Sequence, residues 1–385
     1  MATAIATASS AAPSEASLTP FFEPFALPAT NQRELGAPHA PGTVTPLALR
    51  PTSELTLDQA IDTVKQLQQD KTLTKLLASH GTLLFRGLPI NNATEFSRFA
   101  HAFGWRPHEI IGIVVDRPLL APNVAPANES PKEVEIYNHN ESPQVPHAPE
   151  YIFFYGHKVP EIGGETPISS SLELFQRAQA EIPEFIEKIT QEGILSRVVY
   201  KVDAQYAGGS TLRQAFGKEI EDGDDAPTRR AKIEKQLQRY ARGEHTTWEW
   251  KDDATLEVTH RLPVVRTQPS TGLPTLFTGL AAYYRRLKQN WDNKAVAVQY
   301  YGDGTEISKE HLAKLEEITD DIRVLHKWHR GDVLVYDNII SQHGRQPWGG
   351  EQGDRVVQAS LFDGDQVPGA FNNQPWAQVV QALDG

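Results

Sequence analysis

The chain has 385 residues, 39% of them hydrophobic, which is enough to build the core of one large domain or two ordinary ones. The net charge is -12, and the chain has no long block of Lys and Arg. A protein that binds nucleic acid or an anionic membrane needs a positively charged surface, so we expect a small-molecule partner instead. The chain contains no cysteine, which excludes disulfides, thiolate metal sites and a cysteine nucleophile, so any metal must be held by histidine and carboxylate.

The N-terminal segment does not have the features of a targeting sequence. Residues 1–19 are rich in Ala, Ser and Thr but lack a basic start and a sustained apolar stretch, and the first basic residue is Arg33. No apolar run approaches the roughly 18 residues that span a bilayer, and the last residues form no peroxisomal signal. We therefore expect a cytoplasmic protein with a disordered tail over residues 1–25.

The first half of the chain alternates short helices and strands. A capping box at residues 56–59 opens a helix, and residues 73–77 continue its apolar face. Residues 81–87 form a short buried-strand pattern closed by glycine, and Asn92 is placed to cap the next helix. An aromatic strand is predicted over residues 151–155.

The second half repeats this alternation. Pro183 at a helix start and Gly193 just past its end predict one helix, and Ser308 opens another with its apolar residues on one face. Residues 332–336 and 355–361 are strand-like.

No linker rich in Pro, Gly or Ser divides the chain cleanly. We therefore expect a single domain over residues 26–385, in which a β core carries the site and a helical insert at about residues 170–262 covers it. Within the insert, residues 203–225 combine Gly208 and Gly209 with an acidic run and lack an apolar period. This pattern predicts a mobile lid that closes over substrate, and a surface loop without function is the alternative.

The sequence His139-Asn140-Glu141 is the most informative chemical motif. On a strand, residues i and i+2 point to the same side, so His139 and Glu141 are expected to converge on one ion while Asn140 faces away. His343 is the best third ligand because it follows the strand-like residues 333–338. Two imidazoles and one carboxylate occupy one face of an octahedral ion and leave three positions open, as in non-haem Fe(II) oxygenases.

Arg355 follows His343 by twelve residues, on the next predicted strand. A planar guanidinium suits a bidentate pair with the far carboxylate of a keto-diacid that chelates the metal. Each feature alone has an ordinary explanation. The short pattern His-x-Glu often occurs by chance on protein surfaces, and a single His or Arg is often simply solvated. The combination favours an oxygen-activating enzyme.

Several separated segments of the chain occur in a characteristic order. They are Leu84-Phe85-Arg86-Gly87, Asn128-Glu129-Ser130, His139-Asn140-Glu141, Tyr151-Ile152-Phe153-Phe154-Tyr155, Gly163-Gly164-Glu165-Thr166-Pro167-Ile168, Gly331-Asp332-Val333-Leu334, Asp337-Asn338, His343 and Arg355-Val356-Val357. Together, over roughly residues 80–362, they resemble the taurine dioxygenase/clavaminate synthase-like family of Fe(II)/2-oxoglutarate oxygenases.

The resemblance implies an α+β fold with a double-stranded β-helix (jelly-roll) core and flanking and inserted helices. It also implies that His139, Glu141 and His343 bind Fe(II), and that Thr166 and Arg355 bind the distal carboxylate of the cosubstrate 2-oxoglutarate, with O2 as second cosubstrate. The expected enzyme is an Fe(II)/2-oxoglutarate-dependent dioxygenase. It would oxidise an aliphatic C–H bond of a small metabolite by hydroxylation, desaturation or oxidative cyclisation, and release succinate and CO2.

Two departures from the family pattern narrow the expected reaction. Glu141 replaces the Asp that is commoner in the taurine branch, as it does in the clavaminate synthase-like branch, and it fills the position that a halogenating relative leaves empty. Ala359 stands where the taurine branch has a second Arg that binds a sulfonate. Chlorination and a sulfonate substrate are therefore disfavoured.

An amino-acid-like metabolite fits a family of this type. Plausible substrate-pocket residues are Tyr137, Asn138, Arg213 and Phe277. Two other classes of protein remain open. A metal-dependent hydrolase or isomerase on a cupin-like barrel would have no need of Arg355 and Thr166, and a catalytically silent jelly-roll binding protein would not retain all three metal ligands.

Overall fold

The structure, a computed structural model, describes residues 18, 21–113, 118–127, 130–202, 210–240, 246–252, 254–288 and 297–364. Nine α-helices lie within these ranges: α1 (Leu57–Gln69), α2 (Thr72–His80), α3 (Ala93–His101), α4 (Ser171–Glu181), α5 (Pro183–Glu192), α6 (Leu212–Phe216), α7 (Ala226–Tyr240), α8 (Leu280–Lys288) and α9 (Lys309–Ile322).

The strands of the same ranges are β1 (Phe22–Pro24), β2 (Arg33–Glu34), β3 (Val44–Thr45), β4 (Leu47–Pro51), β5 (Thr82–Phe85), β6 (Arg106–Pro107), β7 (Ala125–Pro126), β8 (Ile136–His139), β9 (Tyr151–Lys158), β10 (Thr166–Ser170), β11 (Ile194–Lys201), β12 (Thr246–Trp250), β13 (Thr255–Leu262), β14 (Val265–Thr267), β15 (Pro274–Leu276), β16 (Ala297–Tyr301), β17 (Val324–His326), β18 (Val333–Asp337), β19 (Ser341–Arg345) and β20 (Val356–Asp363). A short 3-10 helix, Gln352–Asp354, precedes the last strand.

Two sheets form the core. The larger has the strand order β1-β4-β5-β18-β9-β20-β6, with β7 also pairing with β20, and the smaller has the order β17-β10-β19-β8. Pairing is antiparallel except between β4 and β5. Buried residues of both sheets, among them Phe154, Ile168 and Val357, pack into one apolar cluster, so the sheets lie face to face. The fold is the jelly roll with surrounding helices that the sequence predicted.

Helices cover the outer faces of both sheets. α1, α2 and α3 contribute to a cluster that includes Phe85 and Phe153 of the larger sheet. α4, α5, α8 and α9 pack together beside the smaller sheet, where Tyr137 of β8 enters their apolar core. Both histidine-bearing strands therefore lie in a sheet that is supported by helices from outside.

Residues 170–262 contain α4 to α7, but they are not purely helical. β11, β12 and β13 also lie in this range and form a separate four-stranded sheet with β16, in the order β12-β13-β11-β16. Burial alternates along β13, as expected when one face of a sheet is packed and the other is open.

Local sequence signals place most helix ends correctly. Thr56 forms the predicted capping box, and Asn92 and Ser308 cap the helices that follow them. The apolar face that the sequence continues from α1 to residue 77 is interrupted, because Lys71 adopts a left-handed conformation with φ 62°. The Asp70 carboxylate accepts a hydrogen bond from the Thr72 backbone N–H at 2.9 Å and so starts the second helix.

None of the helices in the described part of the chain is long and apolar enough to cross a membrane. The predicted tail lies mostly outside the described residues, as do Gly208 and Gly209 of the predicted lid and Asn128-Glu129 of the family motif.

Candidate active site

The two histidines of the predicted metal site are paired across neighbouring strands. His139 is the last residue of β8 and His343 is its direct partner on β19. The centroids of the two rings lie 4.7 Å apart. Backbone pairing therefore fixes both imidazoles side by side, and His343 is further held by Phe154, whose ring centroid is 5.0 Å away.

Glu141 lies two residues beyond the end of β8. Its backbone N–H donates to Asn338 Oδ1 at 2.7 Å, and Asn338 Nδ2 donates to the Glu141 carbonyl at 3.1 Å. Glu141 Oε2 lies 3.3 Å from His343 Nε2. One donor atom from each of His139, Glu141 and His343 lies within 4.8 Å of the other two, so the structure brings the predicted ligands together.

Asn140 faces away from the other two residues of its motif, as strand alternation predicts. Its Nδ2 donates to the Asn338 carbonyl at 2.6 Å, and its Oδ1 accepts from the backbone N–H of Thr278 at 2.8 Å. This buried carboxamide joins three chain segments behind the site and orients the residues on either side of it.

The protonation state of His139 suits a metal ligand. His139 Nδ1 lies 2.8 Å from the Tyr137 carbonyl oxygen, so it carries the hydrogen and leaves Nε2 as the donor. Burial and the charge of His343 lower the pKa of His139 to about 4, against the opposing effect of Glu141. The imidazole is therefore neutral at pH 7, which is the form that binds metal.

Arg355 is a cation in the same cavity without a carboxylate partner. Its Nε donates to the Gly164 carbonyl at 2.9 Å and its NH2 group to Thr166 Oγ1 at 3.3 Å, and no described carboxylate forms an ion pair with it. Burial and the charge of Arg345 lower its pKa to about 9, so it stays charged at pH 7. A charge removed from water without a counter-charge is costly, which favours an anionic ligand here.

Thr166 is oriented to donate a hydrogen bond into the cavity. Its Oγ1 accepts from Trp328 Nε1 at 2.9 Å and from Arg355. Because both lone pairs are used, the hydroxyl hydrogen remains for an acceptor outside this set. Thr166 and Arg355 together present donors to one carboxylate.

The cavity between the sheets has a polar end and an apolar wall. The polar end consists of His139, Glu141, His343, Thr166, Arg345 and Arg355. The apolar wall consists of Ile110, Ile113, Ala127, Ile136, Phe154, Val357, Ala359 and Leu361. Alternate residues of β20 supply three of the wall residues, because i and i+2 share one face of a strand.

Sequence reasoning did not single out Arg345 or Trp328. Arg345 lies two residues after His343 on β19 and lines the same cavity, and its guanidinium donates to the backbone carbonyls of Ser130, Pro131 and Val134. Strand alternation after His343 is the signal that would have found it. Trp328 carries no such signal, because its contact with Thr166 joins distant parts of the chain.

Two of the predicted substrate residues on or beside the ligand strand point elsewhere. The Tyr137 hydroxyl donates to the Glu316 carbonyl at 3.1 Å, among the helices outside the smaller sheet. Asn138 is fully buried and donates to Ser169 Oγ at 2.9 Å. The pairing of β8 with β19 shifts register between His343 and Arg345, so that Ile136 rather than Tyr137 lines the cavity.

The other two predicted substrate residues are also absent from the described lining of this cavity. Phe277 is buried under the guanidinium of Arg266, which lies 3.8 Å from the ring centroid. Arg213 lies on α6 with its side chain 40% exposed, 3.9 Å from Asp222. The structure thus brings together the predicted metal and cosubstrate residues, but not the predicted substrate residues.

Comparison with known proteins gives a family and several relatives. The family model "Taurine catabolism dioxygenase TauD, TfdA family" matches residues 43–360. A clavaminate synthase-like protein of Arabidopsis thaliana is 30% identical over 308 residues, covering 79% of this chain and 88% of the relative. The dapdiamide synthesis protein DdaC of Enterobacter agglomerans is 26% identical over 355 residues, covering 89% and 96%.

Solved structures with a related arrangement include AAD-2 in complex with Mn(II) and N-oxalylglycine, with a TM-score of 0.45 and 15% identity over 87% of this chain and 97% of that one. A taurine dioxygenase from Burkholderia xenovorans has a TM-score of 0.45 and 16% identity over 85% and 89% of the two chains.

Proposed function

Because the chain belongs to the TauD/TfdA family of Fe(II)- and 2-oxoglutarate-dependent dioxygenases, we propose that His139, Glu141 and His343 hold its Fe(II). We propose likewise that Thr166 and Arg355 bind the distal carboxylate of 2-oxoglutarate. The observation that carries the proposal is the guanidinium of Arg355, which lies in the same cavity as the three donors and forms no ion pair with any carboxylate of the described residues. Neutral imidazoles and a carboxylate are the donor set that suits Fe(II).

When bound, Fe(II) with 2-oxoglutarate and O2 supplies the oxidising power that breaks an aliphatic C–H bond, with succinate and CO2 as coproducts. The chain's own residues position the reactants. Arg355 and Thr166 fix one end of the dianion, and the paired strands fix the two histidines relative to it. Such positioning is the part of catalysis that a protein contributes to chemistry carried by a cofactor.

The apolar wall indicates what the substrate presents to the site. Ile110, Ile113, Ala359 and Leu361 offer hydrocarbon surface and no hydrogen-bonding side chain. A hydrocarbon segment is therefore favoured beside the metal, and water is disfavoured there. We infer that the substrate is a small, amino-acid-like metabolite oxidised at an aliphatic C–H, and the names of the two relatives support a small metabolite.

The outcome of that oxidation is hydroxylation, desaturation or oxidative cyclisation. The retained ligand Glu141 argues against chlorination, and Ala359 provides no cation for a sulfonate. The two other classes raised by the sequence fit less well. A cupin-like hydrolase or isomerase would not need the Arg355 and Thr166 pair. A catalytically silent binding protein would not need the three converging metal donors.

Oxygen uptake and succinate formation by the Fe(II)-loaded protein test this proposal. A panel of amino acids and their amides, supplied with 2-oxoglutarate, should contain compounds that raise both rates together. A protein that hydrolyses or isomerises a member of the panel without consuming 2-oxoglutarate would contradict it.

A further inference from the structure

A second cluster of metal-binding side chains lies apart from the proposed iron site. His108, His147 and Asp363 are all buried, with 7%, 5% and 6% of their surfaces exposed. They come from three separate segments: the residues after β6, the loop that follows Glu141, and the last residue of β20. One donor atom from each of the three lies within 4.8 Å of the other two.

Two of the separations within this cluster are short enough for one common ion to bridge, and the shorter is also a hydrogen bond between His108 and Asp363. His108 Nδ1 lies 2.7 Å from Asp363 Oδ1, and His147 Nε2 lies 3.7 Å from Asp363 Oδ2. Two donors that bind the same ion at about 2.1 Å are at most about 4.2 Å apart. The two imidazole rings are stacked with centroids 4.3 Å apart, and each has one nitrogen directed at the Asp363 carboxylate.

The charges around the cluster also matter. Arg106 NH2 lies 3.6 Å from Asp363 Oδ2, but 54% of the Arg106 side chain is exposed. This guanidinium therefore has room to turn into solvent when a cation takes its place.

We propose that His108, His147 and Asp363 form a second metal site, which takes a borderline divalent ion of the Zn(II) type. Two imidazoles and one carboxylate are donors that Zn(II) accepts, and three protein ligands leave one position for water. The competing account is an ion pair between His108 and Asp363 that binds no metal. This proposal does not depend on the oxygenase function.

The site would stabilise one wall of the cavity. The His108 backbone N–H donates to the Leu361 carbonyl at 3.0 Å, and Ile110 of the same segment lines the cavity. His147 belongs to the loop that begins at Glu141 and returns to β20 at Glu150, whose N–H donates to the Phe362 carbonyl. A bound ion would thus join the apolar wall and the Glu141 loop to the same strand.

Metal analysis of a protein without the first site tests this proposal. The double variant Glu141→Ala, His343→Ala should retain about one equivalent of Zn(II) after exposure to the ion and gel filtration in metal-free buffer. Adding His147→Gln should remove that equivalent, whereas adding His329→Ala, at an exposed histidine, should not. No zinc in the double variant, or zinc that survives His147→Gln, would overturn the second site.

A second measurement covers the case in which His147→Gln fails to fold. Cobalt(II) added to the double variant should give visible absorption bands of an ion with nitrogen and oxygen ligands, and one equivalent of Zn(II) should abolish them. The same ion should raise the thermal midpoint of unfolding, and a chelator should reverse the rise. A spectrum identical to that of cobalt in buffer, with an unchanged midpoint, would leave the ion pair as the correct account.

Discussion

Arg355 combines two features that rarely occur together. Its guanidinium is buried deeply enough to lower its pKa to about 9, yet its protein partners are a carbonyl and a hydroxyl rather than a carboxylate. A neutral side chain at this position would avoid the cost of burying the charge. A bound anion would offset much of this cost, so Arg355 favours a dianion over water in the cavity.

Replacing Arg355 by Lys should weaken 2-oxoglutarate binding by roughly 1.5–3 kcal/mol, because an ammonium cannot reproduce the planar fork. Thr166→Ala should act in the same direction and more mildly. Anaerobic titration of 2-oxoglutarate into the Fe(II)-loaded protein, followed by the metal-to-ligand charge-transfer band, measures the change. Arg330→Lys, at an exposed arginine, is the matched control. Unchanged affinity in the Arg355 variant would move the carboxylate anchor elsewhere.

His343→Ala and Glu141→Ala should each abolish succinate production and greatly weaken Fe(II) binding. The fold should survive, because β8 and β19 are paired through their backbones and the iron is catalytic rather than structural. Circular dichroism checks the fold, and metal titration checks the site. His329→Ala and Glu161→Ala, at exposed positions, should change neither. Near-normal turnover in either site variant would refute the ligand assignment.

Residues that follow from short-range rules were predictable, and residues set by irregular pairing were not. His139 and Glu141 were predicted from strand alternation, although β8 ends at His139 and Glu141 lies in the turn beyond it. The strand-like residues before position 343 pointed to His343, the spacing after it pointed to Arg355, and the family's motifs added Thr166. The register shift beside Arg345 turns Tyr137 away from the cavity, and nothing in the local sequence indicates that shift.

The turn before β10 fixes the position of Arg355, the residue that we propose binds the distal carboxylate of 2-oxoglutarate. Gly164 has φ +72°, and a Cβ atom there would lie 2.6 Å from Pro160 Cγ and 3.1 Å from Arg355 Cδ. The turn therefore requires glycine both for its backbone conformation and for the close approach of Arg355.

Gly164→Ala should weaken 2-oxoglutarate binding several-fold, because Arg355 must move away from the added methyl group. Gly353→Ala is the matched control, since a Cβ atom there has no heavy atom within 4 Å. Anaerobic titration of both variants against the parent protein makes the comparison. Equal affinity in all three proteins would show that Arg355 has room to adjust.

The insert at residues 170–262 touches the cavity wall directly. The Gly112 backbone N–H donates to the Ala215 carbonyl at 2.9 Å, and Glu109 forms ion pairs with Lys218 and Arg239. These contacts tie the segment carrying Ile110 to α6 and α7. The described part of the predicted lid is packed, because α6 buries Leu212, Ala215 and Phe216. We still propose that residues 203–225 act as a lid and that residues 26–385 form a single domain, since movement of this segment would be felt at the wall.

Limited proteolysis should cut within residues 203–225 in the Fe(II)-only protein. Protection should require both 2-oxoglutarate and a substrate, because closure over one ligand alone leaves the cavity partly filled with water. Mass spectrometry of the fragments locates the cuts. Equal cleavage in every state, with turnover preserved in Arg213→Ala, would reduce the segment to a surface loop.

Helices were predicted better than the strands of the insert. Caps and apolar spacing are local, so Thr56, Asn92 and Ser308 marked true helix starts. β11 finds its partners β13 and β16 about 60 and 100 residues away, and pairing at such distances leaves no local trace in the sequence. The insert was therefore expected to be helical, whereas it also contains β11, β12 and β13 of a four-stranded sheet.

Buried histidines should make the whole molecule sensitive to acid. Burial lowers the pKa of His39, His139 and His147 to about 4 and that of His260 to about 3. The unfolded chain binds protons at each from about pH 6.5 downward, so the unfolding free energy falls by up to about 1.4 kcal/mol per histidine per pH unit. Burial raises the pKa of Asp337 to about 7, so the folded protein binds a proton there that the unfolded chain does not. This group therefore gains stability as the pH falls and offsets the effect of one histidine.

The metal-free protein should therefore lose stability between about pH 6.5 and pH 4. Urea unfolding at several pH values in this window, followed by tryptophan fluorescence, measures the change. In a folded His260→Gln variant, the slope of the unfolding free energy against pH should fall by the contribution of about one proton. A midpoint that is constant across the window would show that these histidines keep their ordinary proton affinity.

The overall jelly roll was foreseen through resemblance rather than through strand patterns. The core pairs β8 with β19, which lie about 200 residues apart, and only the ordered motifs at both ends of that interval indicated the pairing. The layered arrangement of helices outside the two sheets then follows from the need to bury the second face of each sheet.

The three donors are held in place by different parts of the fold, and this difference has an evolutionary consequence. His139 and His343 are fixed by the ladder between β8 and β19, but Glu141 sits in a turn whose backbone is held by the side chain of Asn338. Changes at position 141 leave every strand pairing intact. The carboxylate is thus the donor that mutation can exchange for another ligand, or remove, while the barrel stays closed, so the chemistry of the site can diverge without rebuilding the scaffold.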